Sequence, residues 1–170
     1  LKTFSMFSVN SVAKNFMKEL QEILKKISNF APEEKAILAT VVDVQGSGYR
    51  RAGARMLIDE NGFSIGTVSG GCLEADVLER AKKVLETGES CVITYDTTKD
   101  ENSVFGLGMG CRGIVRILLE EIDAESNFFD FLQTAFDARK FFTMATVISS
   151  NDQSLDVGAR YFLQDSLITF

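Results

Sequence analysis

The chain of 170 residues contains no histidine. That absence excludes Ser-His-Asp and Cys-His catalysis, the H-E-x-x-H metalloprotease arrangement and any mechanism that uses imidazole as a base near neutral pH. Cysteine is scarce as well: there are three, an odd number with no C-x-x-C spacing. A disulfide framework and a four-cysteine zinc site are both disfavoured, and reduced thiols are expected. Positive charge is not in excess, with a net charge of −6. Non-specific nucleic-acid binding needs many Lys and Arg to release counterions from phosphates, so an anionic ligand would have to be held locally. No run approaches the roughly 20 apolar residues of a membrane span, and no cationic start precedes a long apolar stretch. The expected location is the cytoplasm, away from nucleic acid and membrane.

What is present reads as an ordinary globular composition, 45% hydrophobic and 25% charged. Val12, Phe16, Leu20, Ile23, Ile27 and Phe30 recur every three or four residues and predict an amphipathic helix ended by Pro32. Leu1 to about Asn10 reads as irregular. Ala36–Val44, Ala54–Ile58, Phe63–Val68, Cys91–Tyr95 and Ile114–Leu119 read as strands, with Asp59-Glu60-Asn61-Gly62 as a hairpin turn. Helices are expected from Cys72 to Thr87-Gly88 and over Ser126–Arg139.

Late in the chain the beginning recurs. Ala145-Thr146-Val147-Ile148 echoes Ala39-Thr40-Val41-Val42, and Gly158-Ala159-Arg160 echoes Gly53-Ala54-Arg55. The expected fold is α+β: a mixed β-sheet flanked by helices, extended at its end by a degenerate repeat of the first strand pair. No Rossmann domain is expected in this chain. Residues 1–122 form one unit with its amino-terminal helix, and residues 123–170 pack a helix and the repeat on it; either that second copy is purely structural or the natural chain continues into a further domain. A homodimer is an additional expectation.

Two cysteines sit in glycine clusters, Ser69-Gly70-Gly71-Cys72-Leu73-Glu74 and Gly106-Leu107-Gly108-Met109-Gly110-Cys111-Arg112-Gly113. Glycine clears the steric wall around a thiol and lets backbone N–H groups turn toward a ligand. Cys72 is expected at a helix N-terminus, which would favour a thiolate or a bound phosphate. Glu74 reads as a first-turn residue that complements the helix dipole, or as a site carboxylate. Gly108-x-Gly110-x-x-Gly113 formally matches a dinucleotide fingerprint, yet a strand follows it where that motif needs a helix. A loop closing over a ligand is the preferred reading. Ser47, Arg50 and Arg51 lie in a small-residue loop, where an arginine fork can hold phosphate or carboxylate. Cys91, inside a strand, is expected to be buried.

Taken in order, Gly46-Ser47, Arg50-Arg51-Ala52-Gly53-Ala54-Arg55-Met56, Gly66-Thr67-Val68-Ser69-Gly70-Gly71-Cys72-Leu73-Glu74 and Gly106 to Gly113 resemble the xanthine dehydrogenase accessory factors, the XdhC/CoxI family. The resemblance covers roughly residues 35 to 120. It implies a protein that binds molybdenum cofactor (molybdopterin) and assists its sulfuration or its insertion into a molybdenum hydroxylase of the xanthine dehydrogenase type, with a cysteine desulfurase as a further partner. Such a protein is an accessory or carrier more than a turnover enzyme. The implied cofactor contacts are Ser47, Arg50, Arg51, Ser69, Gly70, Gly71, Cys72, Gly108, Gly110, Cys111 and Arg112, with Cys111 also as a molybdenum-site contact. The alternatives are a sulfurtransferase carrying a persulfide on Cys72, its one catalytic residue, and a non-catalytic interaction domain.

Overall fold

The computed structural model describes residues 3–8, 14–98, 112–126, 129–132, 134, 143–152 and 154–163. Its elements are β1 (Thr3–Ser8), α1 (Lys14–Ile27), β2 (Ala36–Gly46), β3 (Arg55–Asp59), β4 (Ser64–Gly66), α2 (Glu74–Thr87), β5 (Cys91–Asp96), β6 (Gly113–Ile122), β7 (Thr143–Ser149) and β8 (Arg160–Leu163). Five strands form one sheet in the order β4-β3-β2-β6-β5, and three form another in the order β1-β7-β8. The α+β class agrees with the sequence. Every pairing among the described strands is antiparallel, however, so the five-stranded sheet is not mixed in direction there.

Strand β2 occupies the centre of the five-stranded sheet and is buried from Ala36 to Val42 without alternation. A strand covered on both faces favours apolar side chains at successive positions, which this run supplies everywhere but at Thr40. On one face Ile37, Ala39, Val41, Met56, Ile58, Ile117 and Leu119 pack against Val77, Ala81 and Val84 of α2. On the other, Leu20, Ile23, Leu24 and Ile27 of α1 cover Ala36, Leu38 and Leu57. Beside α1, Ile148 of β7 packs with Val42 and Leu118.

The helices begin and end for local reasons. Helix α2 stops at Gly88, whose left-handed backbone (φ 71°) lets its N–H reach the Val84 carbonyl at 2.8 Å. Helix α1 ends at Ile27, five residues before Pro32: Ser28 donates to Leu24 O and Phe30 to Ile27 O, closing the last turn. Among the described residues of the helix expected over Ser126–Arg139, 129–132 and 134 are helical, with Phe129 and Leu132 buried. The β3–β4 hairpin turns at Asp59, whose carboxylate accepts the N–H groups of Asn61 and Phe63 at 2.9 Å each.

Two expectations are corrected here. The amino-terminal stretch is not irregular: Thr3–Ser8 is a strand paired with β7. Its Phe4 and Met6 alternate with polar residues, a period-two signal that a six-residue run carries only weakly. The repeat does not extend the main sheet either. It builds the second sheet, and there it reproduces the first copy bond for bond. Val41 N–H donates to Ala54 O, Gly53 N–H to Val41 O and Ala54 N–H to Arg51 O. Val147 N–H donates to Ala159 O, Gly158 N–H to Val147 O and Ala159 N–H to Asp156 O. Thr40 faces Arg55 across β2–β3 as Thr146 faces Arg160 across β7–β8.

Candidate functional site

At one end of the five-stranded sheet, the loop after β2, the loop after β4 and the entry to β6 meet. The Ser47 N–H donates to Arg112 O at 2.9 Å. Gly113 is wedged beneath that loop, because a Cβ there would lie 2.6 Å from both Gln45 O and Ser47 O. Backbone this close leaves room for glycine only. Thr97 fastens the same point, accepting the Gly113 N–H at 3.0 Å and donating its hydroxyl to Gly113 O at 2.9 Å. The loop after β2 also crosses to the first cysteine cluster: a Cβ on Gly70 would meet the Tyr49 ring at 2.2 Å.

Within that cluster, the carboxylate of Glu74 organises everything. Its Oε1 accepts the N–H groups of Val68 (3.2 Å), Ser69 (2.9 Å) and Gly70 (3.1 Å) and the Thr67 hydroxyl. Its Oε2 accepts Gly71 N–H (2.8 Å), Leu73 N–H (3.2 Å) and the Ser69 hydroxyl. The amides of Val68 to Gly71 and of Leu73 therefore form an anion nest around a carboxylate of the chain itself. Partial burial opposes the charge on Glu74, but the Ser69 and Thr67 hydroxyls and the backbone amides outweigh it and hold its carboxyl down at about 2. Ser69, Gly70 and Gly71 are thus placed at the site, with their amides already engaged.

Cys72 follows in this bend, exposed, and Leu73 is the N-cap of α2. The thiol therefore precedes the helix, whose first residue is Glu74 where the sequence places Cys72. Arg50, read as a ligand fork, instead grips Glu19 of α1: its Nη1 lies 3.1 Å from Oε1, and its Nη2 pairs with Oε2. That pair fastens the loop to the helix. Ser47, Arg51 and Arg112 are exposed at this end of the sheet. Gly108, Gly110 and Cys111 lie outside the described residues, and among the described residues no cluster of His, Cys, Asp and Glu could hold a metal. Gly113 opens β6, so a strand does follow the glycine motif.

Cys91 is a correction. It is exposed, not buried, because it is the first residue of β5, an edge strand, and lies past the end of α2, while Ile93 and Tyr95 of the same strand are buried. Partial enclosure still pushes its thiol upward, against the pull of the Arg80 guanidinium. The sequence reading also passed over Tyr49, which is 73% exposed at the rim of the site. Its signal was an aromatic ring in a loop otherwise made of Gly, Ser and Arg.

Comparison with known proteins bears on this site directly, since it is built almost wholly from the matching segment. Residues 30–96 match the XdhC and CoxI family. Over 93 residues, 55% of the chain, the sequence is 43% identical to a probable xanthine dehydrogenase subunit from Bacillus subtilis (strain 168). Over 87 residues, 51% of the chain, it is 31% identical to the molybdenum cofactor insertion chaperone PaoD of Escherichia coli (strain K12). These segments span 28% and 26% of the two relatives, so the chain matches little more than a quarter of either. A crystal structure of a xanthine dehydrogenase from Bacillus halodurans superposes with a TM-score of 0.65 at 30% identity, over 85% of this chain and 42% of that one. The stretch from Phe30 to Asp96, which carries the loop after β2, the Glu74 nest and Cys72, is the part of this chain that matches the XdhC and CoxI family.

Proposed function

We propose that this chain serves the maturation of a molybdenum hydroxylase of the xanthine dehydrogenase type, taking molybdenum cofactor as cargo at the sheet end where the three loops meet. The family match supports this, as does the insertion-chaperone name of the Escherichia coli relative. The observation that carries it is Cys72: a thiol held exposed in a bend whose backbone is fixed by Glu74. A soft sulfur suits the molybdenum and sulfur centre of the cargo. Arg51 and Arg112, exposed at the same end, suit its phosphate.

The residues present fit this cargo in a restricted way. The amides of the Ser69–Leu73 bend are not open to a phosphate while the Glu74 carboxylate fills the nest. Phosphate binding falls to the arginines, and the bend contributes its thiol. Assistance in sulfuration, with a cysteine desulfurase charging Cys72, is the finer form of this reading, and the exposure of Cys72 is what favours it.

The test is retention of molybdopterin by the full chain after incubation with the cofactor and gel filtration. Wild type should carry pterin, and C72A should lose most of it while keeping its circular-dichroism spectrum. Equal pterin content in wild type and C72A removes Cys72 as a contact. No pterin in wild type removes the cargo reading.

A further inference from the structure

Tyr49 is the most exposed large hydrophobic side chain among the described residues, at 73%, ahead of Phe63 at 65% and Tyr161 at 46%. Unlike a ring swinging in solvent, it has a seat. The Cδ1–Cε1 side rests against Gly70: a Cβ built on that glycine would lie 2.2 Å from Cε1 and 2.3 Å from Cδ1. Gly70 is itself fixed, because its N–H donates to the Thr67 hydroxyl at 3.0 Å and to the Glu74 carboxylate at 3.1 Å. At its other end the Tyr49 loop is held by the Arg50–Glu19 pair and by the Ser47–Arg112 bond. The ring is therefore pre-positioned, and most of its surface is open. Holding an apolar surface in water without covering it costs free energy, so the arrangement suits a ligand that will cover it.

The surroundings narrow the ligand's chemistry. Next to the glycine that seats the ring, Gly71 is open, since a Cβ there would meet nothing within 4 Å, and Arg51 and Arg112 are exposed at the same end. A flat ring system with an anionic group attached matches that combination, since an aromatic side chain stacks on any planar heterocycle and an arginine grips the anion. We propose that Tyr49 is a stacking platform for a planar heteroaromatic ring, and that the pterin of the cargo lies on it. The second clause rests on the cargo reading above; the first does not.

The experiment uses the full chain and the free compound 6-hydroxymethylpterin, which has neither dithiolene nor phosphate, so that binding reads the ring alone. Quenching of pterin fluorescence gives the affinity. Wild type should bind saturably, Y49F should stay within about twofold, and Y49A should bind roughly tenfold or more weakly, the loss expected of one stacking contact. Because the side chain is exposed, Y49A should keep the wild-type melting temperature. Equal binding by wild type and Y49A overturns the proposal, as does wild type that does not bind this pterin. Molybdopterin retention measured on the same proteins separates the two readings: a wild type that binds the free pterin but retains no molybdopterin keeps the platform and discards the cargo.

Discussion

Arg160 of the second strand pair donates through Nη2 to Glu120 of the first sheet; Glu120 is buried and the Arg160 side chain is 14% exposed. Arg55, its counterpart in the first copy, lies close enough to feel both charges. Burial and then the like charge of Arg160 push its guanidinium down to about 10, with Glu120 opposing. Burial pushes the Glu120 carboxyl up, against both arginines. The two copies of the strand pair thus bring equivalent arginines to one carboxylate between the sheets.

This mostly buried cluster is costly to break from one side, since losing Glu120 leaves two arginines facing each other and losing Arg160 leaves Glu120 with Arg55 alone. R160L and E120L should each lower stability by about 3–5 kcal/mol, and the double variant should lose less than their sum. Urea unfolding of the four proteins checks this, and strict additivity would show that the pair does not couple the sheets.

Glu74 should behave in the opposite sense from Glu120 toward acid. Its carboxyl is held near 2 in the fold, below the ordinary carboxylate value of 4.5, so its stabilisation is complete above that value and is lost as the pH falls toward 2. E74Q keeps the size but cannot accept the same set of N–H donors. It should cost about 2 kcal/mol at neutral pH, a figure held low because the carboxylate is only partly shielded from water. The wild type and E74Q should converge only as the pH falls to about 2. Thermal melts across this range measure it, and a constant difference at all pH values would contradict the assignment.

G113A introduces a methyl group 2.6 Å from two backbone oxygens, where neither neighbour is a flexible side-chain tip. The loop after β2 must then lift from β6. The expected loss is about 2–3 kcal/mol, with faster hydrogen exchange at Ser47, whose N–H donates to Arg112 O. Exchange at Ser47 unchanged from wild type would show that the loop is not pinned there.

Both described thiols are exposed, so both should alkylate without denaturant. Cys72 should lead, because the upward push on Cys91 reduces its thiolate fraction at neutral pH. Limiting iodoacetamide followed by peptide mass spectrometry gives the order. Labelling of Cys91 ahead of Cys72 would reverse the argument.

The sequence by itself determined the strands of the five-stranded sheet, the hairpin at Asp59, the cap at Gly88, the repeated strand pair and the family motifs. These rest on local signals: a mostly apolar run, turn residues, a glycine able to take positive φ, and a short pattern that recurs. The tertiary structure decided what those elements do to one another. Glu74 was legible as a first-turn carboxylate, but its closure of the nest depends on the path of the chain from Thr67 to Leu73, which no periodicity encodes. Arg50 was legible as a fork for an anion, and only packing shows that the anion is Glu19, thirty-one residues away. Cys91 looked buried because its strand is apolar, yet burial depends on which edge a strand occupies and where the covering helix ends. The repeat was visible as a pattern, while its assembly into a second sheet depended on β1, a six-residue strand that is stable only with β7 beside it.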